Sequence, residues 1–207
     1  MSLTVQLAPL ADVPDVRYQW DPDTDILSAV VDASAPPDAG GERQAVREAL
    51  DAYTVRDAGA PALADAPPRP PSGAADDVGP SGAIEVEGTD GSWLSLELVR
   101  GRIAGVQVAV WPTVRRRSAL AAPPAPPCAA FASGGRPTAT DRPVALELSA
   151  RVAAETDGAE RVFHFLFGPP RAAERARIAR DIVLEVDARQ RLAGLWLLNV
   201  PPFPHDT

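Results

Sequence analysis

Asp21, Asp23, Asp25 and Asp32 stand at the first, third, fifth and twelfth places of a calcium-loop spacing. Oxygen ligands at that spacing can wrap a hard cation. The segment departs from such a loop where the loop is most demanding. Ile26 occupies the place of the turn glycine, the last ligand is the short Asp32, and no helical periodicity flanks the run. A β-turn competes for the same residues. Asp21-Pro22-Asp23-Thr24 has aspartate where a side chain bonds back to the backbone and proline where φ must be preset. The turn is the expectation here, and no metal is expected.

Other reactive side chains are sparse. The chain has two histidines, His164 and His205, and one cysteine, Cys128. His164 falls in a strand pattern whose other positions are apolar, where an imidazole is expected to pack and hydrogen-bond. His205 lies in a proline-rich tail, and Cys128 lies in an Ala/Pro-rich run. Nothing here has the spacing of a zinc site or of a nucleophile–histidine pair. No catalytic residue and no cofactor are expected. Glu97, Glu185 and Asp187 are the carboxylates that a ligand pocket would use. Arg115, Arg116 and Arg117, with Arg171 and Arg175 further on, are candidates for a basic patch that holds phosphates. Aromatic residues are not interleaved with them, as stacking on single strands would need. The net charge of −8 also opposes a polyanionic partner.

These side chains need elements to carry them. The best-defined is Ile182 to Val200, IVLEVDARQRLAGLWLLNV, which reads as a β-hairpin. Trp93 to Trp111, WLSLELVRGRIAGVQVAVW, reads as its copy. Glu97 answers to Glu185, Arg102 to Arg191, Ala104 to Ala193 and Gly105 to Gly194. A glycine in mid-strand marks a bulge or a close backbone approach. Leu94, Leu96 and Leu98 share a face, so Trp93 belongs to the opposite one, and Trp196 likewise opposes Leu195 and Leu197. Trp93, Trp111 and Trp196 are therefore candidates for contact with a partner, unless other elements cover them. The second copy is apolar on both faces and is expected to be the more buried.

Further strands are expected at Leu3–Leu7, Val16–Trp20, Asp25–Val31, Ala83–Glu87, Pro143–Val152 and Arg161–Phe167, from their alternation. Helices are expected at Glu42–Val55, which has one apolar stripe, and at Arg171–Arg180, where Ala172, Ala176 and Ala179 line one side. The fold expected is α+β and mostly antiparallel β. Two pseudo-repeated hairpin–helix–hairpin (ββαββ) units would stand in tandem or merge into one sheet or barrel. The first unit is placed at 1–117, with a Pro/Ala/Gly-rich internal linker at 59–82. A low-complexity linker follows at 118–142, then the second unit at 143–200 and a proline-rich tail at 201–207.

Two of these stretches resemble a family of short bacterial domains, the domain-of-unknown-function family 2283. W-D-P-D-T-D-I-L-S (Trp20–Ser28) is similar to its opening pattern, and V-L-E-V-D-A-R-Q-R-L-A-G-L-W-L (Val183–Leu197) to its closing one. Trp20 and Ser28 replace tyrosines of that pattern, and Gln190 replaces its turn glycine. The resemblance implies a fold type and no activity.

The chain has 207 residues, 45% of them hydrophobic, which suffices for a substantial core. All of its basic residues are arginine, a bias expected of a GC-rich bacterial genome. A single cysteine allows no internal disulfide, and no segment reaches the length of a membrane span. With no basic, apolar leader at the N-terminus, a cytoplasmic location is expected. The function expected is that of a non-catalytic accessory or interaction protein, binding a protein partner or itself through a sheet face or edge. One alternative is a small-ligand binder or enzyme with a pocket between the two units. Another is a nucleic-acid-associated regulator that uses the arginines.

Overall fold

Alternation of apolar and polar residues puts one side of a strand into a core and the other into solvent. That pattern dominates the molecule. The computed structural model describes residues 3–32, 81–133 and 144–204. Among the described residues every regular element is a strand. They are β1 (Thr4–Pro9), β2 (Val16–Asp21), β3 (Ile26–Val31), β4 (Gly82–Gly88), β5 (Trp93–Val99), β6 (Arg102–Val110) and β7 (Val114–Arg116), followed by β8 (Cys128–Ser133), β9 (Val144–Ala150), β10 (Val152–Thr156), β11 (Phe163–Phe167), β12 (Ala173–Ala179), β13 (Ile182–Asp187) and β14 (Leu192–Leu197).

The strands make two mixed sheets, neither of which closes on itself. In the first, β2-β3-β6-β5-β4-β9 are neighbours. β6 divides its second edge, pairing with β3 along Gly105–Val108 and meeting β8 at Arg102. β8 in turn pairs with β1. The second sheet runs β12-β13-β14-β11-β10-β7. The pairs β4–β9 and β7–β10 are parallel, and the rest are antiparallel. Leu27, Ile84, Leu96 and Val108 of the first sheet join Phe165, Leu184 and Leu195 of the second in one hydrophobic core. Both sheets belong to one compact unit, Met1–Ala35 with Gly79–Thr207.

The α+β expectation is overturned. Arg171–Arg180 was expected to be helical, from alanines that favour helix, and its central part is strand β12. Ala176 and Ile178 point into the core there, while Arg175 and Arg177 alternate outward. A short helix with so narrow an apolar side gains little by packing. As a strand the same residues extend the ladder of β13 from Ala173 to Ala179. Context outweighs the intrinsic preference of alanine. The other expected helix, 42–55, and most of the stretch 59–82 lie outside the described residues.

The internal repeat is real and larger than a hairpin. The order β2-β3-β6-β5-β4 in the first sheet matches β10-β11-β14-β13-β12 in the second. Both copies carry a register shift just after the recurrent glutamate, between Glu97 and Leu98 and between Glu185 and Val186. Gly105 lies opposite Glu97 on one side and Val30 on the other, and Gly194 lies opposite Glu185 and Leu166. A Cβ on Gly194 would sit 2.7 Å from the Glu185 carboxylate and 2.9 Å from the Phe165 carbonyl oxygen. At Gly105 the corresponding distances are 2.9 Å to Glu97 and 3.1 Å to the Ala29 carbonyl oxygen. Glycine recurs because the glutamate side chain lies across it.

Candidate functional site

The repeated Glu–Gly pairs lie on the outer faces of the two sheets, away from the shared core, and the two faces differ sharply. On the second sheet, Glu185 is buried and fully engaged. Its Oε2 lies 3.3 Å from His164 Nε2. Its Oε1 accepts from Trp196 Nε1 at 3.1 Å and from Arg175 Nε at 3.2 Å. The His164 ring stacks on Trp196, with centroids 3.9 Å apart. The hydrogen bond from His164, helped by those from Trp196 and Arg175, holds the Glu185 carboxyl down at about 2 against the opposing effect of burial. Next to it, Asp187 is pinned at the β13–β14 turn by the backbone N–H groups of Arg189 and Arg191. Ion pairs to Arg191 (2.7 Å) and Arg171 (3.0 Å) complete its shell. Burial pushes the Asp187 carboxyl up, but these bonds outweigh it and hold the group at about 2.

A proline-rich strap covers this face. Leu120, Ala122 and Ala125 pack with Val162 on Val183, Trp196 and Leu198. The strap is tied down where the Arg177 backbone N–H donates to the Pro126 carbonyl at 2.8 Å, beside a parallel bridge between Pro127 and Arg177. Residues 118–133, within the low-complexity stretch 118–142, thus supply both the strap and strand β8. Nothing in composition alone separates such a strap from a linker. The usable signal is its apolar match to the bare indole of Trp196. The whole arrangement stores a buried charge beneath the strap.

The equivalent face of the first sheet carries no strap among the described residues. Ser95 stands where Val183 does, Gln107 where Trp196 does, and Ser28 where His164 does, by the registers of the two copies. Trp93 is 42% exposed and Val110 47%, side by side in the ladder. They border a half-open cavity of about 340 Å³, lined also by Glu85, Glu87, Glu147 and Leu148. Glu85 lies directly beside Glu147 in the parallel pair, and Glu87 follows on the same face. Like charges so placed repel one another. Glu85, Glu87, Glu97 and Glu147 form no ion pair among the described residues.

The residues singled out by type are scattered. Of the three tryptophans, Trp93 alone is open. Trp196 lies under the strap. Trp111 is packed among Trp20 (5.7 Å), Phe163 (5.1 Å) and Phe165 (5.9 Å). The C-terminal stretch docks as far as Phe203: Trp20 Nε1 donates to the Pro201 carbonyl, and Phe203 meets Trp20 edge-on. Asp21 caps its turn by accepting from the Asp23 backbone N–H at 3.0 Å, and Asp25 adopts φ 56°, so the aspartate run forms the β2–β3 turn. No metal-binding cluster of His, Cys, Asp or Glu occurs among the described residues. Arg116 pairs with Glu160 and Arg117 with Glu155, while Arg171 and Arg175 hold Asp187 and Glu185. Arg115 is exposed on β7. Cys128 is buried at the start of β8, where desolvation, with Glu174 nearby, pushes its thiol up. Glu97 and Glu185 do not converge, because they sit on the outer faces of different sheets. Among the described residues no helix is long and apolar enough to cross a membrane. No protein-family model matches the chain, and a search of curated proteins returned no match.

Proposed function

We propose that this chain is a non-catalytic interaction protein that holds a protein partner on the outer face of β4, β5, β6 and β9. One observation carries the reading. Two equivalent faces have been built from one strand order, and the second is covered by the chain's own strap. The first leaves Trp93 and Val110 exposed beside a cavity. Exposed aromatic residues flanked by polar groups are the composition of partner-binding patches. His164, the only histidine among the described residues, is stacked and bonded within the covered face, so it supports binding chemistry less than structural support for Glu185.

The test is affinity capture from native cells with the wild-type chain and with Trp93→Glu and Val110→Glu variants, each checked for an unchanged far-ultraviolet spectrum. A partner retained by wild type and lost with both variants is expected. A partner retained equally by all three would overturn the reading, as would reproducible capture of none.

A further inference from the structure

From the contrast between the two faces we infer the class of partner: an extended, arginine-bearing, proline-rich segment of another protein, laid across β9, β4, β5 and β6. The inference rests on the proposed interaction face and adds what that face recognises. Its first support is the sister face. There an extended run of this composition, Leu120–Pro127, packs on Val183 of β13 and Trp196 of β14 and bridges Arg177 of β12, the counterparts of β5, β6 and β4, and it is preceded in the chain by Arg115–Arg117. Extended proline-rich segments lose little entropy on docking and match flat aromatic surfaces.

The second support is the pattern of charge. On the second sheet, Glu185 takes its guanidinium from Arg175, directly opposite on β12. At the matching position of the first sheet, opposite Glu97 on β4, stands Ala83. Arg177, opposite Val183, is answered by Glu85, opposite Ser95. The first face therefore keeps the recurrent glutamate and has lost both arginines, one of them reversed in sign. Glu87 and Glu147 add further charge around the cavity beside Trp93, with no ion-pair partner among the described residues. A guanidinium carried by the occupant would restore what Arg175 supplies within the chain, with bidentate geometry available at each carboxylate. Ser95 and Gln107, in place of Val183 and Trp196, make the face wettable when empty, as an exchangeable docking surface requires.

The probe is a synthetic peptide with the sequence of Arg115–Pro127, RRRSALAAPPAPP. Its control has glutamate in place of each arginine. Titration of the full-length chain, followed by backbone amide shifts, is expected to show saturable binding of the probe and none of the control. The perturbed amides should map to β4, β5, β6 and β9. Glu85→Gln combined with Glu97→Gln should weaken binding by about tenfold or more, and added salt should weaken it further. Equal binding of both peptides, indifference to the double substitution, or shifts confined to the strap around Trp196 would each overturn the inference. If Trp93→Glu still abolishes capture of a native partner while the arginine probe fails, the interaction face stands and only its assigned occupant is wrong.

Discussion

Glu185 shows how far a single side chain depends on its surroundings. In solution a glutamate titrates near 4.5, and here it is held at about 2, chiefly by the hydrogen bond from His164. A folded value below the unfolded one stabilises the native state above the unfolded pKa, and that stability is lost as pH falls through the folded one. The loss between about pH 5 and pH 3 amounts to roughly 2 kcal/mol by this linkage. Urea denaturation of wild type and Glu185→Gln across that range checks it. The stability gap between the two is expected to narrow by roughly that amount on acidification, and a gap that does not change with pH would contradict the assignment. Glu97 occupies the same place in the repeat but is exposed and makes no ion pair among the described residues.

At the scale of elements, the two copies of one hairpin face different constraints. Gly194 is crossed by a glutamate locked by His164, Trp196 and Arg175, and by the backbone carbonyl of Phe165 at 2.9 Å from the site of a Cβ. Neither can move without disrupting the sheet. Gly105 is crossed by Glu97, whose exposed side chain can swing away, and by a carbonyl slightly further off at 3.1 Å. Overpacking of a tight site costs about 1–3 kcal/mol. Gly194→Ala is expected near the top of that range and Gly105→Ala near or below its bottom, measured by chemical denaturation. Equal costs would show that the glutamate network does not restrain β13 and β14. Strand β12 carries the other lesson at this scale. Its Arg-Ala-Arg-Ile alternation has a period of two and was present in the sequence, but four alanines in ten residues favoured a helical reading. What decided the matter was the free edge of β13, which a helix would have left unpaired.

At the scale of the whole molecule, the two repeats do not fold around separate cores. Val5 of β1 donates its backbone N–H to Gln190 in the β13–β14 turn, and Arg180 donates to Pro14. Tyr18 of β2 reaches the Asp181 carbonyl, and Trp20 reaches Pro201. The core that joins Ile84 and Leu96 to Phe165 and Leu184 is continuous. Cooperative unfolding of both sheets is the expectation for a core so shared. Native-state hydrogen exchange should give the slowest amides of β5–β6 and of β13–β14 the same free energy of opening. A separate, lower value for either hairpin would mean that the sheets open independently.

The sequence by itself determined the strands that alternate cleanly, the repeat with its Glu–Gly pairs, the opposite facing of Trp93 and the leucines of β5, and the burial of the second hairpin. Each of these follows from the local period of the chain or from comparing it with itself. It did not determine which strands become neighbours, because partners such as β3 and β6, or β4 and β9, are chosen by edges that exist only once the sheets form. It also did not distinguish three tryptophans of similar setting. Trp111 packed against the core while staying partly exposed, Trp196 was covered by a strap of unremarkable composition, and Trp93 was left open. Exposure belongs to the assembled faces, and the candidate site could be seen only when the covered face and the open one were set side by side.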